Sequence, residues 1–452
     1  MTIVGFFVGA MLLSWGGAGK AVTLAFPAAA VSLGLFLYFR EPLLYNGFVW
    51  WMWFLSPFIR RLADWKSGFT NPSLILLAPY LVSLITLITF FRYLPRVRTS
   101  NNLPFVMSVG AITYSFLVAL VYRSPFEAGI GVVDWLPAIT FGFHLFVHWP
   151  EYPSYRRNTQ RVFIWGVMVM GAYGIAQYLL SPEWDLAWRL NAEFWSAGDI
   201  FSDGDIRVWS TMNSPTPFAN TLMAGLLILL NYEGGIALPV MLVGFLSFLL
   251  SLARTSWGAL MVGLVSLVAF SKENLQIRLI VVVGLIVLCL IPLTTIDAFS
   301  EVLYTRLGTL TNISKDGSAA DRAYYFALQI NDALGSVIGE GVGGKVYDWG
   351  IFSLLFSLGW IGSLFYVGGI SLNLMMLYRG SEHKVDAFIG VSRSIALGTF
   401  ATVPLTTPFT EVTGLILWTF MGLGLAGKQY YMYQRQSLLS REIYTSDGIT
   451  DG

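Results

Sequence analysis

The chain has 452 residues, of which 56% are hydrophobic, 15% aromatic and only 12% charged, with a mean hydropathy of +0.66 and a formal net charge of +1. That balance sets aside soluble globular classes and any general attraction to nucleic acid, and it makes this a polytopic membrane protein. The single cysteine, Cys289, sits inside an apolar run, which excludes intrachain disulfides and argues against a thiol-ligated metal site.

A membrane-spanning helix needs roughly 20 apolar residues. Apolar segments near that length lie at 2–17, 21–39, 43–58, 72–91, 104–122, 133–148, 161–180, 215–232, 236–252, 256–271, 277–294, 349–376, 387–405 and 410–427. Reading the short ones as spans or as re-entrant pieces gives about 12 to 14 transmembrane helices. The segments are continuously apolar rather than alternating, so they predict helices and not barrel strands. The first has no basic residue before it and leads straight into the next, as an uncleaved first helix does. The expected fold is all-α and polytopic, with one transmembrane domain over 1–435 and a polar cytoplasmic tail over 436–452.

Orientation follows from the short-loop cations, because Lys and Arg are retained on the cytoplasmic side. The clusters Arg92, Arg96, Arg98; Arg156, Arg157, Arg161; Lys272, Arg278; Arg379, Lys384, Arg393; and Lys428, Arg435 alternate with the spans and place both termini in the cytoplasm. The same parity puts the two long polar segments, 181–214 and 295–348, on the far side. Arg60, Arg61 and Lys66 run against the rule.

The first of these loops is rich in Trp and acids (Trp184, Asp185, Trp188, Glu193, Trp195, Asp199, Asp203, Asp205), a composition that predicts short helices at the headgroup interface. In the second, Asp321 to Leu334 has apolar residues at helical spacing and predicts an amphipathic helix. The glycine-rich turn Gly339 to Gly344 then breaks it. The loop ends in D-W-x9-G-x-x-G, carried by Asp348, Trp349, Gly359 and Gly362.

Three arginines on the far side are candidate anion ligands. Arg254 lies in L-A-R-T-S-W-G between two apolar segments, where an arginine is costly unless it reaches water or an anion; the plainer reading is that it snorkels or caps helix ends. Arg322 opens the amphipathic helix against the dipole, and Arg207 sits just before a span; a solvated loop arginine is the plain reading of each. Together, three guanidinium forks converging on one cavity suit a pyrophosphate.

Asp348 directly precedes a long apolar helix, so it is a candidate N-cap. A carboxylate at the mouth of a membrane cavity is also a candidate general base for a sugar hydroxyl. Glu340 is a second carboxylate with no better claim, and Gly359 and Gly362 suit close helix packing. His144 and His148 are four apart at the cytoplasmic end of a span beside Trp149, which fits paired interfacial histidines better than a metal site. No phosphate loop, dinucleotide fingerprint or carboxylate cluster spaced for a divalent metal is present, so neither a metal nor another cofactor is expected.

Four features, taken in order, resemble the O-antigen ligase and O-antigen polymerase superfamily of bacterial membrane glycosyltransferases. They are R-V-W-S-T-M-N-S-P-T-P-F-A-N (Arg207 to Asn220), L-A-R-T-S-W-G-A (Leu252 to Ala259), D-R-A-Y-Y-F-A-L followed by G-E-G-V-G-G (Asp321 to Gly344), and the terminal D-W-x9-G-x-x-G. The resemblance covers roughly 207–370. It implies a GT-C-type fold in the bacterial inner membrane that takes a glycan from undecaprenyl pyrophosphate on the periplasmic face, with Arg254 and Arg322 holding the pyrophosphate and no metal. Ligases of the superfamily carry a histidine where this chain has Asp348, so the resemblance favours a polymerase. In that reaction the hydroxyl of one lipid-linked repeat attacks the anomeric carbon of another, inverting it, and undecaprenyl pyrophosphate leaves.

The lipid-linked glycan is then donor and acceptor, the bilayer is the solvent, and a chain-length regulator and a flippase are the partner classes the resemblance leaves room for. The runner-up within the family is a ligase acting on lipid A core, a protein or another acceptor. Outside it the rival is a transporter, against which stand the absence of inverted halves and the few carboxylates within the spans.

Overall fold

In bilayer hydrocarbon a backbone N–H or C=O finds no water, so long runs of Leu, Val, Ala and Phe satisfy their own amides by forming helices. The computed structural model describes residues 2–96, 102–192, 207–270, 284, 317–345 and 349–447, and among these there are helices and no strands. In chain order the helices are α1 (Thr2–Trp15), α2 (Gly19–Arg40), α3 (Pro42–Ser67), α4 (Ala78–Leu84), α5 (Leu87–Tyr93), α6 (Leu103–Tyr122), α7 (Pro125–Val147) and α8 (Tyr152–Leu180). They continue with α9 (Glu183–Asn191), α10 (Pro215–Leu230), α11 (Ala237–Leu250), α12 (Arg254–Phe270), α13 (Gly317–Gly335), α14 (Gly350–Tyr378), α15 (Ala387–Phe400) and α16 (Glu411–Asp447).

Local chemistry marks many of the starts. Proline opens α3, α4, α6, α7 and α10, where its missing N–H costs nothing. Ser124 and Glu127 close a reciprocal capping box on α7.

Among the described residues six stretches are long and apolar enough to cross a membrane: Gly19–Arg40, Leu74–Tyr93, Leu103–Tyr122, Pro125–Val147, Trp149–Leu180 and Gly350–Tyr378. At 1.5 Å per residue the 23 residues of α7 reach roughly 35 Å, enough for a hydrocarbon core of about 30 Å. The outward faces of such helices carry large apolar side chains, with Val121 at 77% and Leu364 at 74% exposure, which suit lipid and not water. The chain is therefore an all-α, multi-pass membrane protein. Shorter apolar helices, α1, α10, α11, α12 up to Ala269, and α15, match five more of the expected segments, those at 43–58 and 410–427 fall on α3 and α16, and 277–294, apart from residue 284, lies outside the described residues. The stretch expected at 72–91 is one of the six long ones, and between α4 and α5 the backbone of Ile85 and Thr86 stays right-handed, with Thr86 Oγ1 donating 2.9 Å to Thr140 on α7.

Cross-helix contacts fix the directions. On α6 and α14, Ser108 meets Tyr366 while Ser115 meets Ser357, so the two are antiparallel. On α7 and α16, Gly142 packs on Trp418 and Ala138 on Gly414, so these are parallel. By the same test α3 and α8 are parallel (Asn46 with Thr159, Phe58 with Tyr173). α12 and α15 are antiparallel (Gly398 with Ala259, Ser394 with Ser266). Among the described residues these four pairs run in the relative directions that the expected alternation requires. Arg40, Arg92, Arg156, Arg379 and Lys428 gather at one end, the basic end, while α9 and the glycine-rich segment lie at the opposite end.

α10 runs through the centre: from Phe218 to Leu230 every residue is buried, as a helix apolar on all faces must be. The polar residues from 436 to 447 continue α16 as helix.

Gly359 does more than permit packing. Its φ of +64° interrupts α14, and the freed backbone is taken up by the glycine-rich segment. Glu340 N–H donates to Phe356 O at 2.6 Å, and Trp360 N–H to Ser336 O at 3.1 Å. A Cβ on Gly359 would fall 2.3 Å from the Ile338 carbonyl carbon. Gly362 fits the packing expectation, with Tyr114 of α6 3.2 Å from its would-be Cβ. Gly359→Ala is expected to cost roughly 1–3 kcal/mol in backbone strain alone, and the clash should detach the glycine-rich segment. Faster proteolysis at 336–345, with the rest of the bundle intact, would be the readout; unchanged cleavage would remove this role.

Candidate functional site

At the end opposite the basic one, a buried polar network pins the segment 207–214 into the bundle. Arg61 on α3 donates 2.7 Å to Asp185 of α9, and both side chains are almost fully buried. The other Asp185 oxygen accepts from Tyr173 and Gln177 of α8, each at 2.7 Å. Gln177 in turn accepts from the backbone of Trp209 and Ser210. Thr211 Oγ1 donates to the Phe54 carbonyl and Ser210 Oγ to the Met170 carbonyl, each at 2.6 Å. Residues Val208 to Met212 are therefore non-helical backbone buried within the protein, where its polar groups find partners.

Buried ion pairs account for two of the three cations that ran against the charge rule, Arg60 and Arg61; Lys66 is exposed. Arg60 pairs with Asp64 at 3.2 Å and Arg61 with Asp185, so both are buried, compensated groups rather than loop charges that bias insertion. The short helix α9 falls in the first of the two polar loops, and it turns Asp185, Trp188 and Arg189 into the protein.

The pinned segment delivers two of the sequence motifs to each other. Val208 N–H donates to Leu250 O at 3.0 Å and Arg207 Nε to Ser251 O at 3.3 Å, so Arg207 lies against the turn from which Arg254 opens α12. Leu252 in that turn has a φ of +51°. The first amides of α12 carry the positive end of its dipole, an anion-binding setting beside two arginines. Two residues further along, Ser256 Oγ donates 2.7 Å to Asn220 Oδ1, and Asn220 Nδ2 donates 3.2 Å to Thr413 Oγ1 of α16. Three distant stretches are thus tied at one level of the bundle.

Beside Thr413 stands Glu411, whose φ of +54° is unusual for a residue with a side chain. It opens α16 as an exposed residue. Asp134 of α7 and Tyr80 of α4 sense its charge. Neither carboxylate was singled out from the sequence, yet the signal was there, because an acid inside an apolar run is expensive.

The other expected site residues fare differently. Arg322 is carried on α13, which matches the amphipathic helix expected at 321–334 and packs Phe326 and Ile330 against Trp349, Phe352 and Phe356 of α14; its side chain lies outside the described residues. Asp348 also lies outside them, and the N-cap of α14 is Trp349, one residue beyond the expected cap. Glu340 is tied to Arg123 at 3.0 Å on the surface. The two histidines have local partners at the basic end: His144 bonds Thr89 at 2.7 Å, and His148 bonds the His144 carbonyl at 2.7 Å. No protein-family model matches the chain, and no curated protein matches it at a significant level.

Proposed function

We propose that this protein is a polysaccharide polymerase of the bacterial inner membrane. It joins undecaprenyl-pyrophosphate-linked repeat units on the extracytoplasmic face by metal-independent, inverting transfer. Arg254 and Arg207, with the start of α12, hold the pyrophosphate as charge develops on the leaving group. Arg322 is the third proposed ligand. Asp348 is the proposed base, with Glu411 as a second carboxylate of suitable setting. The observation that supports this reading is the tie between the motif segments: Arg207 on the turn before Arg254, and Asn220 bridging Ser256 and Thr413.

The test is purified protein reconstituted with lipid-linked repeat units, without metal or nucleotide, and mass analysis of the glycans. A ladder of joined repeats is expected. Substrate consumed only after a separate acceptor is added would indicate the ligase, and substrate untouched under all conditions would end the reading.

One observation favours a second reading, a proton-coupled carrier of a glycan precursor or solute. Asp134 lies within the α7 span and Glu411 at the start of α16, near enough for its charge to be felt at Asp134, and carboxylates within spans relay protons in transporters. If so, Glu411→Gln would abolish uptake driven by a pH gradient in vesicles and leave the glycans unchanged. Under the polymerase reading no such uptake exists to lose.

A further inference from the structure

The basic end holds a second cationic site, unrelated to the chemistry proposed above. A cavity of about 360 Å³ opens where α7 and α14 end and α16 leaves the bundle. Its floor is apolar, made by Phe146, Met376 and Leu425, and its rim carries Arg379 and Lys428. Trp149 and Tyr433 flank it with ring centroids 5.3 Å apart.

Lys428 donates to the carbonyls of Met376 and Arg379, at 2.6 and 2.5 Å. It thereby neutralises the last carbonyls of α14, which would otherwise repel an anion, and a third N–H remains. Arg379 is exposed, and its guanidinium makes no hydrogen bond or ion pair among the described residues. The charges felt at Lys428 are Glu382, Arg393 and Arg379, so the cations outnumber the one carboxylate. His383 adds little charge, because burial, with Arg393 and Lys384 beside it, holds its imidazole below the ordinary range.

We propose that this cavity binds the phosphate of an anionic phospholipid, with Arg379 and Lys428 on the headgroup and the apolar floor against the start of the acyl chains. A phosphate could also arrive free in solution. The apolar floor and the lipid-facing residues that continue from it, Met375 at 55% and Leu364 at 74% exposure on α14, favour the lipid. A tryptophan and a tyrosine at this level are the usual companions of headgroups, and basic pockets between helices are the usual anionic-lipid sites.

The experiment is native mass spectrometry of the purified protein titrated with phosphatidylglycerol or phosphatidylcholine, with a third arm containing inorganic phosphate alone. Phosphatidylglycerol is expected to be retained preferentially. Arg379→Gln should weaken that retention about five-fold, as loss of one cation near a headgroup does. Arg435→Gln, further along α16 and outside the cavity, should leave it unchanged, and equal melting temperatures would show both variants folded. Equal retention of the two lipids, no effect of Arg379→Gln, or an equal loss in Arg435→Gln would overturn the site. Full competition by inorganic phosphate would overturn the lipid as its occupant. None of these readouts depends on glycan transfer.

Discussion

Arg254→Ala is expected to lower glycan joining by about 10²-fold or more, in line with loss of a preorganised donor to developing charge. Arg254 opens α12 beside Arg207, so its removal takes one guanidinium from the proposed pyrophosphate site and leaves the helix dipole and the Asn220–Ser256–Thr413 chain in place. The fold should survive, because Arg254 is only half-buried. The sharper test is Arg254→Lys. Lysine keeps the charge and loses the planar fork, so a pyrophosphate held by two parallel bonds should be served poorly by it. Single-turnover rates and binding of the lipid-linked donor, measured separately for both variants, check this. Wild-type rates in Arg254→Ala would dismiss the residue from the mechanism and, with it, the proposed site.

The largest effect on stability is expected at Arg61. Its side chain and that of Asp185 are 1% and 3% exposed and 2.7 Å apart. Arg61→Ala would leave the carboxylate buried with Tyr173 and Gln177 as its remaining donors, at a cost of about 3–5 kcal/mol. Because Gln177 also holds the backbone of 209 and 210, the pinned segment should loosen too. A fall in melting temperature in detergent should therefore come with faster cleavage near residue 207. The pair Arg61→Met with Asp185→Leu removes both charges, and it should recover a large part of the loss, since no unpaired ion then remains. If the single and double replacements melt alike, the network is not what fixes this segment.

Much of the fold was legible in the sequence because membrane physics leaves few options. Continuous apolar runs in lipid have to be helices, so the all-α class followed from composition and the alternation of directions from charge parity. The amphipathic helix at 321–334 was equally readable, since its apolar spacing matches the face that packs on Phe352 and Phe356. The candidate site was legible only in pieces. The motifs at 207–220 and 252–259 stood out by their polar residues amid apolar ones, but nothing in their spacing told that Asn220 would bridge Ser256 to Thr413.

What the sequence alone determined, then, is the solvent and the secondary structure: lipid outside, helices across it, one end basic. What only tertiary structure decided is which charges are compensated. Arg60 and Arg61 read as misplaced loop cations until Asp64 and Asp185 stand beside them. Gly359 reads as a packing glycine until the segment 336–340 fills the break it makes in α14. Hydropathy is a property of each residue summed over a window, so it survives in the sequence. Pairing is a property of two residues that chain separation does not constrain, so Arg61 and Asp185, 124 positions apart, meet only in the folded bundle.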